Sequence, residues 1–140
     1  MAITITYDDF LVYGFPERTL QGHPNNAVTA AQIARYLTAA ASRIAACLEA
    51  SARRVVDEAN PPDEIRQQGC HLAAWPVLTH LIGYNPENPA DEAIHTSYED
   101  AMKWLERVCA GHPVDGTEGV GGGAPSALIA IATEPSRNWS

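Results

Sequence analysis

The chain has 140 residues, 46% of them apolar and 19% charged, which is enough apolar content for one hydrophobic core and too little length for two ordinary domains. Its formal net charge of −8 and pI near 4.9 oppose phosphate-backbone binding by Lys/Arg counterion release and so argue against direct DNA reading. No apolar run approaches the ~20 residues that span a bilayer, so no membrane partner is expected, and the low charge density suits a subunit that covers much of its surface with neighbours.

Ile3 to Thr6 alternates like a strand, and Thr6 with Asp9 three positions on forms an acidic variant of the capping box. A short helix ending near Gly14 is expected. Met1 to Phe10 has neither the basic start nor the apolar run of a secretory signal, so synthesis is expected in the cytoplasm. Phe15 to Arg18 offers one further turn, and Gly22-His23-Pro24-Asn25-Asn26 reads as a loop.

At Thr29 the helix signals coincide, with Thr29 as N-cap, Gln32 at the third helical position and Val28 placed to staple against Ile33. Ile33, Leu37, Ala40, Ile44, Cys47, Ser51 and Val55 recur at steps of three and four, which predicts a long helix from Ala30 to Glu58. Its alanines leave a narrow surface for close helix packing between subunits, with Ala39, Ala46, Arg53 and Arg54 as the candidate contacts. A second helix is expected to start at Asn60-Pro61-Pro62-Asp63-Glu64, with Asn60 as cap and Pro61 as first helical residue. It carries Ile65, Leu72, Trp75, Leu78, Leu81 and Ile82 to Gly83, with a kink at Pro76. The third helix opens at Asn88-Pro89, runs through Ile94, Tyr98, Ala101, Met102, Leu105, Val108 and Cys109, and closes at Gly111 and Pro113.

Beyond Val114 the helical pattern gives way to Gly116, Gly119 and Gly121-Gly122-Gly123, which reads as a flexible linker. Ala124 to Thr133 is apolar and strand-competent. Leu128, Ile129, Ile131 and Trp139 are the candidate residues of a docking arm that engages another chain by strand addition. The expected fold is therefore mainly α. Residues 1–114 form a small bundle of three main helices plus a short N-terminal helix, and residues 115–140 form a Gly-rich linker and extended C-terminal arm.

No catalytic or cofactor-binding residue is expected, because the chain has no G-x-S-x-G elbow and the glycine run lacks the Lys-Ser/Thr of a phosphate loop. His71, His80, His95, Cys70 and Cys109 lack histidines at i, i+4, so no metal site is expected either. Cys47, Cys70 and Cys109 are far apart without a C-x-x-C pair and read as buried free thiols. Trp75 and Trp104 sit on apolar faces and read as core. Glu99 and Asp100 are placed to form surface ion pairs with Lys103 and Arg107.

Three stretches resemble the head-to-tail connector (adaptor) proteins of Mu-like tailed bacteriophages. Ile5-Thr6-Tyr7-Asp8-Asp9-Phe10-Leu11 followed by Gly14-Phe15 is similar to the family's Thr-x-x-Asp-Leu start. The alanine-rich helix through Ile44 and Leu48 resembles its first long helix, and Tyr98 to Val108 followed by Gly111 resembles its last, whose pattern is Arg-Tyr-x-x-Ala-x-x-x-Leu; Tyr98, Ala101 and Leu105 match it, while His95-Thr96-Ser97 replaces the basic residue before Tyr98. Where the family has an Arg-Tyr-Pro-Leu-like loop after the first long helix, Arg53 to Asp57 reads here as continuing helix.

The resemblance implies a non-enzymatic structural subunit of the virion neck. It would form a homo-oligomeric ring, commonly of twelve, between the portal protein and the next neck or tail protein, with DNA passing through the lumen without sequence-specific binding. A tail-terminator or tail-completion ring of the same particle is the nearest alternative. A small helical regulator of DNA or of a host protein is an alternative of another class.

Overall fold

The computed structural model describes residues 1–14 and 29–119. Within them lie four α-helices, α1 (Tyr7–Tyr13), α2 (Ala30–Ala50), α3 (Asp63–Pro76) and α4 (Pro89–Cys109), with a π-helical turn (Val77–Ile82) and two short strands, β1 (Arg53–Val55) and β2 (Thr117–Gly119). The fold is mainly α, as expected. The Phe15–Arg18 turn, the Gly22–Asn26 loop, the Val28 staple, the glycine run 121–123 and the arm residues Leu128, Ile129, Ile131 and Trp139 lie outside the described residues.

Both sequence-read capping boxes form. Thr6 Oγ1 accepts the Asp9 N–H at 3.2 Å while Asp9 Oδ2 accepts the Thr6 N–H at 2.9 Å, and Thr29 and Gln32 repeat the exchange at α2. Gly14 closes α1 because a Cβ there would stand 2.7 Å from the buried Phe10 ring. The extended residues before α1 lie on α3, where the tip of Ile5 occupies the space a side chain at Gly69 would need, 2.3 Å from its Cβ position. That mid-helix glycine, about 1 kcal/mol worse than alanine in propensity, is explained by this approach.

Helix α2 ends at Ala50 and not at Glu58. Ser51 Oγ donates to the Cys47 and Leu48 carbonyls at 3.1 and 3.0 Å, and Ala52 adopts a left-handed φ of +57°, which turns the chain out of the helix. Residues 53 to 55 then pair antiparallel with β2 in the register Arg53 to Gly119, Arg54 to Glu118 and Val55 to Thr117. Val55 is buried and Val56 exposed, the alternation of a strand. Residues 117 to 119, read from sequence as linker, therefore belong to the folded body. Gly116, at φ +79°, makes the turn into β2 hard against the Pro62 ring, where a Cβ would come within 2.6 Å.

The start of α3 also differs from the sequence reading, with Pro62 and not Asn60 at the N-cap. A residue preceding proline is pushed out of the α region, so Asn60 and Pro61 stay outside the helix and Asp63 becomes its first residue. Pro76 produces a change of helix type: the backbone continues into the π turn, whose Thr79 hydroxyl donates to the Trp75 carbonyl at 3.0 Å. Helix α3 packs against α1, α2 and α4, and the core comprises Phe10, Ile33, Leu37, Ile44, Leu48, Ile65, Leu72, Leu78, Leu105 and Val108, all buried.

Candidate interaction surfaces

Helix α4 is fixed at its start by Asn88, whose side chain accepts the Ala90 N–H at 2.9 Å, and by Pro89 at the first helical position. Asp91 in the same turn is completely buried. Its Oδ2 accepts the Asn85 N–H at 2.8 Å, tying the preceding loop to the helix, while its Oδ1 has no hydrogen-bond partner among the described residues. Toward the other end Trp104 Nε1 donates to Glu64 Oε2 at 2.6 Å, which locks α4 to the first turn of α3. Trp104 is thus a core residue with its polar edge satisfied, as its position on the apolar face suggested.

Trp75 packs against the core, as read from its apolar face, but from its edge. It is half-buried and gathers an aromatic cluster, with ring centres 4.9 Å from Tyr84, 4.4 Å from His95 and 6.2 Å from Tyr98. The Tyr84 hydroxyl bonds to Glu92, and His95 Nε2 stands 3.8 Å from Glu99. Glu99 thereby faces a histidine, and the expected links from Glu99 or Asp100 to Lys103 or Arg107 are not formed among the described residues. The Glu92-Ala93-Ile94-His95 spacing, which could serve half of a metal site, is engaged instead by Tyr84 and Trp75. His80 stands beside the Tyr36 hydroxyl at 3.4 Å. No group of three metal-capable side chains occurs among the described residues.

Two grooves flank α4. One, of about 460 Å³, lies between α1, α3 and α4 and includes Val12, which is 74% exposed, and His71, whose burial holds its pKa below the ordinary histidine value. The other, of about 470 Å³, runs between α2 and α4 and is lined by Arg43, Ala46, Cys47, Met102, Leu105, Glu106 and Cys109. Among the described residues Arg43 pairs with no carboxylate; its Nη2 donates to Met102 Sδ at 3.3 Å. Arg43 beside Met102 and Cys47 beside Cys109 follow the same order along both helices, so α2 and α4 run parallel with α3 returning between them.

Cys47 and Cys109 form a disulfide, which corrects the reading of three free thiols; Cys70 alone is free and buried. The pairing is invisible in sequence because 62 positions separate the two residues and only the parallel α2–α4 contact joins them.

Ala39 and Ala46 are exposed on α2, as a packing surface requires. Arg53 and Arg54, assigned from sequence to that helix, sit instead in β1. Arg53 Nε donates to Thr117 Oγ1 at 3.0 Å, and Arg54 pairs with Glu118 across the strands. Among the described residues no helix is long and apolar enough to cross a membrane. Comparisons with protein-family models, with curated proteins and with solved structures return no match.

Proposed function

We propose that this chain is a structural subunit of a phage head-to-tail connector ring that binds beneath the portal and joins the DNA-filled head to the neck or tail. The observation that carries the reading is the end of α2. The chain leaves the helix at Ser51 and runs extended through Val55, which is where the resembling family has its loop after the first long helix. The residues there, Arg53-Arg54-Val55-Val56, still differ from the family's Arg-Tyr-Pro-Leu-like loop. The Thr6–Asp9 capped start and the uninterrupted helix α4 carrying Tyr98, Ala101 and Leu105 supply the other two stretches of the resemblance.

A closed ring needs two unlike, complementary surfaces on each subunit. The exposed small residues Ala39 and Ala46 on α2 support one of them, and the aromatic cluster around Trp75 supports another. The role asks for no chemistry of the chain. A twelvefold ring of chains each carrying −8 would bear roughly −100 formal charge, which would repel DNA phosphates from the lumen wall. The arm with Leu128, Ile129, Ile131 and Trp139 would reach the portal or a neighbouring subunit.

Incubating the purified chain with DNA-filled, portal-bearing heads and separating them by sedimentation tests the role. Co-sedimentation of the full chain, lost on deletion of residues 120–140, is the expected result. Binding to isolated tails in place of heads would transfer the chain to the tail-terminator role.

A further inference from the structure

The α2–α4 disulfide lies at the surface of the bundle. Its Cα atoms are 4.3 Å apart, Cys47 stands near the end of α2 with 8% of its surface accessible, and Cys109 is exposed as the last residue of α4. Both cysteines line the open α2–α4 groove, and the exposed Cys109 is the one a small thiol or disulfide meets first. Cys70 is fully buried, and burial pushes its thiol up to about 12, which removes it from exchange at neutral pH. The neighbouring Leu48, Leu105 and Val108 are buried in the hydrophobic core, so the two helices remain in contact whether or not the sulfurs are bonded.

We propose that Cys47 and Cys109 form a reversible thiol–disulfide exchange site that takes low-molecular-weight disulfides of the glutathione type, and whose closure fastens the C-terminal ends of α2 and α4. In the closing reaction the exposed Cys109 thiolate attacks one sulfur of the small disulfide, breaks its S–S bond and releases one small thiolate. Cys47, as thiolate, then attacks the Cys109 sulfur of the mixed disulfide and releases the second small thiolate. Two protein thiols and one small disulfide thus yield one protein disulfide and two small thiols. Arg43 and Glu106 share the groove with opposite charges, so the rate is set by access and not by a strongly activated thiolate. The site does not depend on the connector role. If that role holds, a chain made in a reducing cytoplasm would close its staple on release into an oxidising medium.

The test uses the full chain, reduced and freed of reductant, then treated with glutathione disulfide and followed by intact mass, native thiol labelling and thermal unfolding. The wild type is expected to lose two hydrogens without retaining glutathione, to keep Cys70 unlabelled until denatured, and to rise in Tm by on the order of 10 °C. C47S is expected to stop at a stable glutathione adduct on Cys109, because the resolving thiol is gone. C109S is expected to react many-fold more slowly, and C70S to behave as wild type. Should a serine variant fail to fold, the comparison of reduced and oxidised wild type carries the test alone. A reduced wild type that does not close in excess glutathione disulfide, an adduct on Cys70 in the native chain, or closure without a rise in Tm would overturn the proposal.

Discussion

Replacing Ala52 by glycine separates two structures for the middle of the chain. If the long helix continued to Glu58, as its periodicity suggests, residue 52 would be a helix-interior position and glycine there would cost about 1 kcal/mol. In the structure Ala52 holds φ +57°, where an L side chain costs about 1–2 kcal/mol that glycine avoids. Glycine also raises the entropy of the unfolded chain, which returns about 0.5–1 kcal/mol of that gain. Ala52 is exposed, so packing adds little. The net expectation is a stabilisation on the order of 0.5–1 kcal/mol, read as a higher urea midpoint at unchanged m-value, while Ala52→Val should lower the midpoint. A loss of about 1 kcal/mol in Ala52→Gly would refute the turn and restore the continuous helix.

Trp104→Phe removes the hydrogen bond to the Glu64 carboxylate and should cost roughly 2 kcal/mol in urea unfolding. A double-mutant cycle with Glu64→Gln should assign most of that loss to the pair. Gly14→Ala brings a methyl against the buried Phe10 ring and should destabilise by about 1–3 kcal/mol, with loss of α1 visible as faster amide exchange at Phe10 and Leu11. Reducing the Cys47–Cys109 bond, which closes a loop of 62 residues, should lower stability by about 4 kcal/mol on the chain-entropy estimate. His71 has a folded-state pKa below its ordinary value of 6.5, so the unfolded chain takes up the proton first. Its contribution is therefore present above pH 6.5 and is lost as pH falls below 6.5 toward the lowered folded value. His71→Gln should flatten that part of the stability–pH curve.

Local grammar was legible in the sequence. Thr6 with Asp9, Thr29 with Gln32, and Asn88 with Pro89 each mark a helix start by side-chain chemistry within a few residues, and all three stand where they were read. The boundaries that moved depend on distant partners or on paired prolines. Periodicity through Ser51 and Val55 could not register that β2, more than sixty positions downstream, takes residues 53 to 55 into a sheet. Nor could it register that Pro62 would keep Pro61 out of α3. At the surfaces, exposed Ala39 and Ala46 follow from helical period alone. The disulfide and the Trp75 cluster arise from helices far apart in sequence, so no local motif announces them.

The connector role is tested most directly by imaging the portal vertex of DNA-filled heads with and without the added chain. A closed ring of added density directly beneath the portal, commonly of twelve subunits, is the expected result. A chain that stays monomeric and leaves the vertex unchanged at saturating concentration would contradict it.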